Sequence, residues 1–417
     1  MAGGVDKKAD RAWVFDPTDP AFIKDPYPGY AWLRAHDPVH WTDQGYWVVS
    51  RHDDVKAVLR DPRFGQGEFI NNIQLFYDED FDVLSHPAYR WLSQIFVMQD
   101  PPQHTRLRGL VVKALTARRV EAMRPRIQAI TDQLIDRFLA GREAEFVHDF
   151  AYRLPTTVMC DMLGMTEDQT DDALLAKLNQ AIADSFIVFE TRAFSAAELA
   201  RADAQIEFLT DYFFRLFEAR AKAPGDDLTT ALLQVREGGD ALSREEMAVI
   251  VIGLFGAGFE TTAHMLGNGL KYLHQNPAQW RLLCQKPELA AQATDEALRF
   301  ESSLQATYRT ALEDADIAGT PIKQGQRVLT LLAAANRDAA AYDDPDRFDI
   351  TRPVGKTLSF GGGIHYCVGA QLARLEGEIA FATLARRLPD MRIDLDNAPW
   401  RAAFFFRGLT QLPIDCR

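Results

Sequence analysis

Most of the chain carries apolar residues at helical spacing, interrupted in a few places by short alternating runs. Ile127, Ile130, Leu134, Ile135 and Phe138 recur at steps of three and four, which places them on one face of a helix. Residues 126–222 continue as several such amphipathic helices. Ser243-Arg244-Glu245-Glu246 reads as a capping box. The helix it opens, from 247 to about 273, is apolar nearly all round between Ile250 and Leu266, as befits a helix through the middle of a core. Asn276-Pro277 and Pro287-Glu288 open two further helices, because proline is pre-set for a first turn. A last helix follows Gly369, with Leu372, Leu375, Ile379 and Ala382 on one stripe.

Other signals are shorter. Residues 28–35 and 53–60 read as helices, the second closed by Asp61-Pro62. Between them, runs at 39–41 and 46–49 joined by Asp43-Gln44-Gly45 predict a hairpin. Alternating runs between Ala311 and Ala333 predict a small sheet, followed by a turn at Asn336-Arg337-Asp338. Asp100 is placed to cap a helix, with Pro101 in its first turn. Residues 64–99 show no period. There Phe69, Ile70, Ile73, Leu75, Phe76, Phe81 and Leu84 mix with Asp78-Glu79-Asp80, which suits a lid or binding loop, or an ordinary surface excursion. The expectation is a mainly α fold with small β-sheets, in a single domain over residues 1–417.

Composition narrows the function. With 417 residues, 47% of them hydrophobic, the chain can bury a large core. A net charge of −13 weighs against general nucleic-acid binding. Cys160, Cys284, Cys367 and Cys416 form no CxxC pair, which fits a reducing compartment rather than a zinc site or a disulfide framework. Residues 1–20 are polar, with Lys7, Lys8 and Arg11, and hold no apolar run of signal or anchor length. A cytoplasmic protein without a membrane anchor is expected. Against this acidic background, Arg106, Arg108, Lys113, Arg118, Arg119, Arg124 and Arg126 are opposed within their own stretch only by Glu121. They form either a solvated helix face or a docking face for an acidic partner.

Candidate chemistry concentrates in three places. In Phe360-Gly361-Gly362-Gly363-Ile364-His365-Tyr366-Cys367-Val368-Gly369, three glycines let the backbone fold tightly ahead of a cysteine. A thiol at the start of a helix is pushed toward thiolate, the form that serves as a haem axial ligand. Taken alone, Cys367 reads more often as a buried structural cysteine. The central helix carries Gly253, Gly256 and Gly258, each costing about 1 kcal/mol against alanine, which suggests close approach by something flat or a local distortion. Glu260 and Thr261 follow; a carboxylate and a hydroxyl in an apolar helix need partners, and Thr261 could bond back to a carbonyl one turn earlier. His104 and Arg108, four apart, share a helix face, as do Glu296 and Arg299, three apart.

The stretch 360–374 resembles the haem-ligand loop of the cytochromes P450, FGxGxHxCxGxxLAR, at every fixed position. The resemblance implies a P450-like fold with its long central helix over the haem. It makes Cys367 the proximal iron ligand, with Phe360 near the sulfur side of the ring. His365, His104 and Arg108 of the HTRLR segment, and Arg309 would bind the propionates. Residues 257–262 match the family's AGxETT segment, in which Glu260 and Thr261 would deliver the protons that dioxygen cleavage needs. Glu296, Arg299 and Arg347 would form a buried network fixing the cysteine loop. Ser302-Ser303 stands where the family often has a proline pair, which leaves the turn there open. Phe186, Ala257 and Phe405 are the expected pocket residues. The implied activity is a haem-thiolate monooxygenase with haem b (iron protoporphyrin IX), O2, a hydrophobic small-molecule substrate, and electrons from NAD(P)H through ferredoxin reductase and an acidic ferredoxin docked at the basic stretch. The alternatives are a peroxide-driven peroxygenase, disfavoured by the intact acid–alcohol pair, and a non-catalytic haem-binding protein.

Overall fold

The computed structural model describes residues 15–67, 73–74, 76–141, 143–165, 171–190, 192–236 and 239–416. Phe69, Ile70 and Leu75 of the expected lid, and the N-terminal Lys7, Lys8 and Arg11, lie outside the described residues.

A 32-residue helix, Arg244–Gln275, runs through the centre. Its capping box forms as expected. The Glu246 amide donates to Ser243 Oγ at 3.1 Å and the Ser243 amide donates to the Glu246 carboxylate at 2.9 Å. This central helix is long and apolar enough to cross a membrane, but 72% of its apolar window is buried in protein. Helices Arg153–Met162, Ala196–Lys222, Ala290–Phe300 and Ala370–Arg387 pack around it. The stripe Leu372, Leu375, Ile379 and Ala382 is buried, as is Ile127 to Phe138 on helix Arg124–Ala140.

Two of the central glycines have a packing reason. A Cβ on Gly256 would come within 2.2 Å of the Phe186 ring, and one on Gly258 within 2.7 Å of the Met159 sulfur. At Gly256, the flat body the glycines admit is therefore a neighbouring side chain.

Strands occupy the flanks. In chain order they are β1 (Val39–Trp41), β2 (Trp47–Val49), β3 (Phe64–Gly65), β4 (Glu143–Glu145), β5 (Ala306–Ala311), β6 (Ala315–Ile317), β7 (Thr320–Ile322), β8 (Arg327–Leu331), β9 (Arg392–Ile393) and β10 (Pro413–Asp415). The largest sheet has the order β1-β2-β8-β5-β3, with β2 and β8 parallel and its other pairs antiparallel. The predicted hairpin is β1–β2, with Trp41 opposite Trp47. Strands β4, β10 and β9 form a second sheet, and β6 with β7 a third.

Two local expectations change. Within the stretch read as irregular, residues Pro87–Gln94 form a helix that buries Ala88, Tyr89, Trp91 and Leu92. Its apolar positions extend over barely two turns, too short for a period to emerge from sequence. Asp100 does not cap the next helix, which begins at Gln103 after Pro102 with no side-chain cap. Its carboxylate instead accepts the amides of Gln66 at 2.9 Å and Gly67 at 2.6 Å.

Candidate active site

Beside the central helix lies a cavity of about 340 Å3, within the range of small-molecule and cofactor sites. Cys367 lines it, as do Ala257, Glu260 and Thr261 of the central helix. Phe186, Phe405 and Phe406 also line it, whereas Phe404 packs between Phe15, Phe22 and Phe405 in a separate core. Phe186 stacks on Trp91 with ring centroids 5.3 Å apart. All three expected pocket residues thus sit at this cavity.

The cysteine loop is built for close contact. The Cys367 amide donates to the Phe360 carbonyl at 3.0 Å, which closes the loop on itself. Gly361 and Gly363 adopt φ of 70° and 64°, and a Cβ on Gly363 would meet the Leu59 carbonyl oxygen at 2.1 Å. The amides of Gly369 and Ala370 and the guanidiniums of Arg108 and Arg374 favour the thiolate. Cys367 is accessible from the cavity it lines, but the protein atoms crowded around that cavity are the larger effect and leave the free thiol above its usual value. The helix-start argument from sequence has the right sign but is outweighed until a cation faces the sulfur.

At one edge of the cavity, basic groups converge. The His104 and His365 rings lie 4.4 Å apart. None of their four ring nitrogens has a partner among the described residues. Burial first, then Arg309, His104 and Arg108, drives His365 down to about 3; burial and Arg108 lower His104 as well. Arg309 is buried on β5 and lowered to about 10, its contacts in hand being Thr307 Oγ1 at 3.2 Å and the Tyr308 carbonyl at 2.7 Å. Arg108 donates to the Tyr366 carbonyl at 2.5 Å. The acid acting on His104 and Arg309 is Asp100, already engaged by two amides. A site with this much unmatched positive potential, four orphaned imidazole nitrogens and an accessible thiol suits a flat ligand carrying two carboxylates and a metal centre.

On the central helix, Glu260 is buried and its Oε1 accepts from Arg401 at 2.6 Å, while Oε2 has no partner among the described residues. Thr261 Oγ1 donates to the Ala257 carbonyl at 2.8 Å, the back-bond open to it from sequence, while still lining the cavity.

The family model described as Cytochrome P450 matches residues 39–286 and 283–389. The chain belongs to the cytochrome P450 family. It is 39% identical over 404 residues to "Cytochrome P450 107B1" of Saccharopolyspora erythraea, covering 95% of this chain and 96% of that one. It is 35% identical over 400 residues to "Vitamin D(3) 25-hydroxylase" of Pseudonocardia autotrophica, covering 94% of each. Among solved structures, P450BioI in complex with an acyl carrier protein carrying hexadec-9Z-enoic acid superposes with a TM-score of 0.86 at 33% identity, covering 95% of this chain and 98% of that one. The chain is accordingly a P450 monooxygenase, an oxidoreductase, with the P450 fold, and family membership implies haem.

The frame of this P450 matches the sequence expectation at two of three positions. Arg299 donates to Glu296 through Nε at 2.7 Å and Nη2 at 2.8 Å, both side chains being buried. It also donates to the carbonyls of Asn336, Pro345 and Arg347. The Arg347 side chain does not join. It is 61% exposed and pairs with Asp344 and Asp349, contributing only its carbonyl. The third guanidinium is that of Arg352, 15% exposed, 3.4 Å from Glu296 and donating to the carbonyls of Asp343, Asp344 and Arg347. Four residues of chain separate the two arginines, and the turn between them points the second one inward. No sequence signal distinguished them. One turn away, Asp295 accepts from Arg374 at 2.7 Å, and Arg374 lies over the Phe360 ring.

Ser302 resolves the missing proline pair. Asn336 Nδ2 donates to Ser302 Oγ at 3.0 Å and Ser359 Oγ at 2.8 Å, and Asn336 Oδ1 accepts the Leu358 amide at 2.7 Å. Hydrogen bonds thus fix the approach to Phe360 at the turn that the sequence left open. The basic stretch is largely matched by acids from elsewhere: Arg106 by Asp240 and Glu246, Arg119 by Asp226, Arg124 by Glu121 and Glu378, and Arg126 by Asp161. Arg118 remains exposed.

The depressed His104 sets a pH dependence. Its folded pKa lies below the free value of 6.5, so the unfolded chain binds more protons just below that pH. The stability contribution is therefore present above about 6.5 and lost as pH falls. Urea midpoints of haem-free protein should fall with pH below 6.5 more steeply than those of haem-loaded protein, and His104→Phe should remove part of the difference.

Proposed function

We propose that this P450 inserts one oxygen atom of O2 into a hydrophobic small molecule, by hydroxylation or epoxidation. Two electrons would come from NAD(P)H through a separate ferredoxin reductase and ferredoxin, and the cofactor is haem b. The observation that carries the reading is that an accessible Cys367 and the Glu260–Thr261 pair line one cavity together with Arg108, Arg309 and His365, with His104 against His365.

When bound, haem supplies the oxidising chemistry that no side chain can perform. The protein does the rest. Cys367 would hold the haem metal through its sulfur, and the basic cluster would hold the propionates. Phe186, Ala257, Phe405 and Phe406 bound a space that excludes water and favours an apolar substrate. Thr261 holds a hydroxyl at the cavity, and Glu260 moves protons to it from the buried side. Two similar proteins, named or crystallised for vitamin D(3) and for a C16 acyl chain, support an apolar substrate class.

The test is reconstitution with NAD(P)H, ferredoxin and reductase against peroxide alone, using substrates that shift the haem absorbance on binding. Product in the first mixture only is expected; product with peroxide alone would favour a peroxygenase, and none in either a haem binder. Glu260→Gln and Thr261→Ala should each cut product formation on the order of 10²-fold while electron consumption continues and substrate affinity holds.

A further inference from the structure

Ser302 and Ser303 are neighbours, and only the first is used to hold the cysteine loop. Ser302 Oγ donates to the Leu298 carbonyl at 3.0 Å and meets Ser359 and Asn336. Ser303 is buried and lines the cavity, and its hydroxyl has no partner among the described residues. The hydroxyls of Thr261, Thr262, Thr307 and Ser359 belong to residues that line the same cavity, and each is engaged. Thr261 and Thr262 donate to the carbonyls of Ala257 and Gly258, Thr307 accepts from Arg309, and Ser359 donates to the Leu298 carbonyl.

Backbone contacts fix where this hydroxyl lies. The Ser303 carbonyl accepts the Arg407 amide at 2.8 Å, Leu304 bridges antiparallel to Phe406, and the Gln305 amide donates to the Phe405 carbonyl at 2.9 Å. Residues 303–305 are thereby laced to the segment that brings Phe405 and Phe406 to the cavity. Phe406 packs edge-on against Phe189 with centroids 6.0 Å apart, and Phe189 lies 5.1 Å from Phe186. Ser303 therefore belongs to the aromatic end of the cavity, whereas Arg309 of the basic cluster is six residues further on, along β5. Burying a hydroxyl without a partner costs free energy that aromatic neighbours do not offset. Ser302-Ser303 stands where the resembled family often has a proline pair, so this chain places a hydrogen-bond donor where proline offers none.

We propose that Ser303 is a specificity-determining residue that donates a hydrogen bond to an oxygen of the substrate. The substrate class is then a hydrophobic molecule bearing a carbonyl or hydroxyl oxygen, not a plain hydrocarbon. This rests on the reading of the cavity as the substrate site of a monooxygenase. Apolar walls discriminate weakly between molecules of one shape, whereas a site built to pair a polar atom disfavours the analogue that lacks it, because the buried group is then left unpaired. One fixed point also limits how a molecule turns in an apolar space, so Ser303 narrows the set of carbons presented for oxidation.

Titrations of the haem-loaded enzyme, read by haem absorbance, test it with matched probes: cyclododecanone and cyclopentadecanone against cyclododecane and cyclopentadecane. Ser303→Ala should weaken binding of the ketones roughly 5-fold, the worth of one hydrogen bond, and leave the hydrocarbons unchanged or tighter, since they no longer strand a hydroxyl. Ser303→Thr, which keeps the hydroxyl, should bind the ketones as wild type does. In reconstituted turnover, Ser303→Ala should widen the mixture of products from each ketone. Equal losses for ketones and hydrocarbons, no loss for either, or a threonine variant that behaves like alanine would each overturn the proposal. These titrations need no electron supply, so the two readings fail separately. Ketone discrimination lost in Ser303→Ala, with no product under any electron source, sinks the monooxygenase reading alone. Full turnover with ketone affinity unchanged in Ser303→Ala sinks the role of Ser303 alone.

Discussion

Cys367→Ala should abolish the red-shifted absorbance that reduced, carbon-monoxide-bound protein shows with thiolate ligation, and should take turnover down by more than about 10³-fold, roughly 4 kcal/mol of barrier. The sulfur is the accessible group at the end of a loop whose other contacts are made by backbone: the Cys367 amide to Phe360, and Gly363 against Leu59. Alanine preserves those contacts. The haem-free variant should therefore keep its urea midpoint within about 0.5 kcal/mol of wild type, because no packed side chain is lost. The loss is then chemical rather than structural, and absorbance and denaturation measured side by side separate the two. Retention of the thiolate spectrum in the variant would refute the assignment of Cys367.

The largest loss of stability should come from Arg299→Ala. Glu296 would be left charged and buried, with the Asp349 amide at 2.7 Å and Arg352 as its remaining partners, and three carbonyls would lose a donor. Breaking one side of a buried pair costs about 3–5 kcal/mol. Since the carbonyls belong to the segment leading to the cysteine loop, haem uptake should fail along with stability. Arg347→Ala is the control. Its ion pairs are exposed, so about 1 kcal/mol or less is expected, with haem retained. A loss at Arg347 as large as at Arg299 would contradict the network described here.

Much of this was legible in the sequence, and for identifiable reasons. The capping box at Ser243 and the all-round apolar run after it define the central helix by local rules alone. The cysteine loop is legible because contact between backbones admits nothing but glycine at positions such as 363. What escaped depends on contacts distant in the chain. The Arg299 guanidinium is met by residues some 40 positions later, and which of Arg347 and Arg352 turns inward depends on a turn with no periodic signature. Arg401 meets Glu260 across 141 positions, and nothing near either residue announces the other. Asp100 sits where a cap is expected, but the amides of Gln66 and Gly67 engage it instead.

The two sides of the chamber are made from different materials. The side that grips sulfur is tied by charges on helix Ala290–Phe300, Glu296 to Arg299 within it and Asp295 to the part-buried Arg374 of helix Ala370–Arg387, and a buried pair such as the first tolerates almost no exchange. The ceiling is aromatic, with Phe186 nested against a glycine and stacked on Trp91, and apolar contacts of this kind accept swaps of shape at modest cost. Sequence drift is thereby channelled: the ceiling is free to be recut for a new guest while the anchor below it stays as it is.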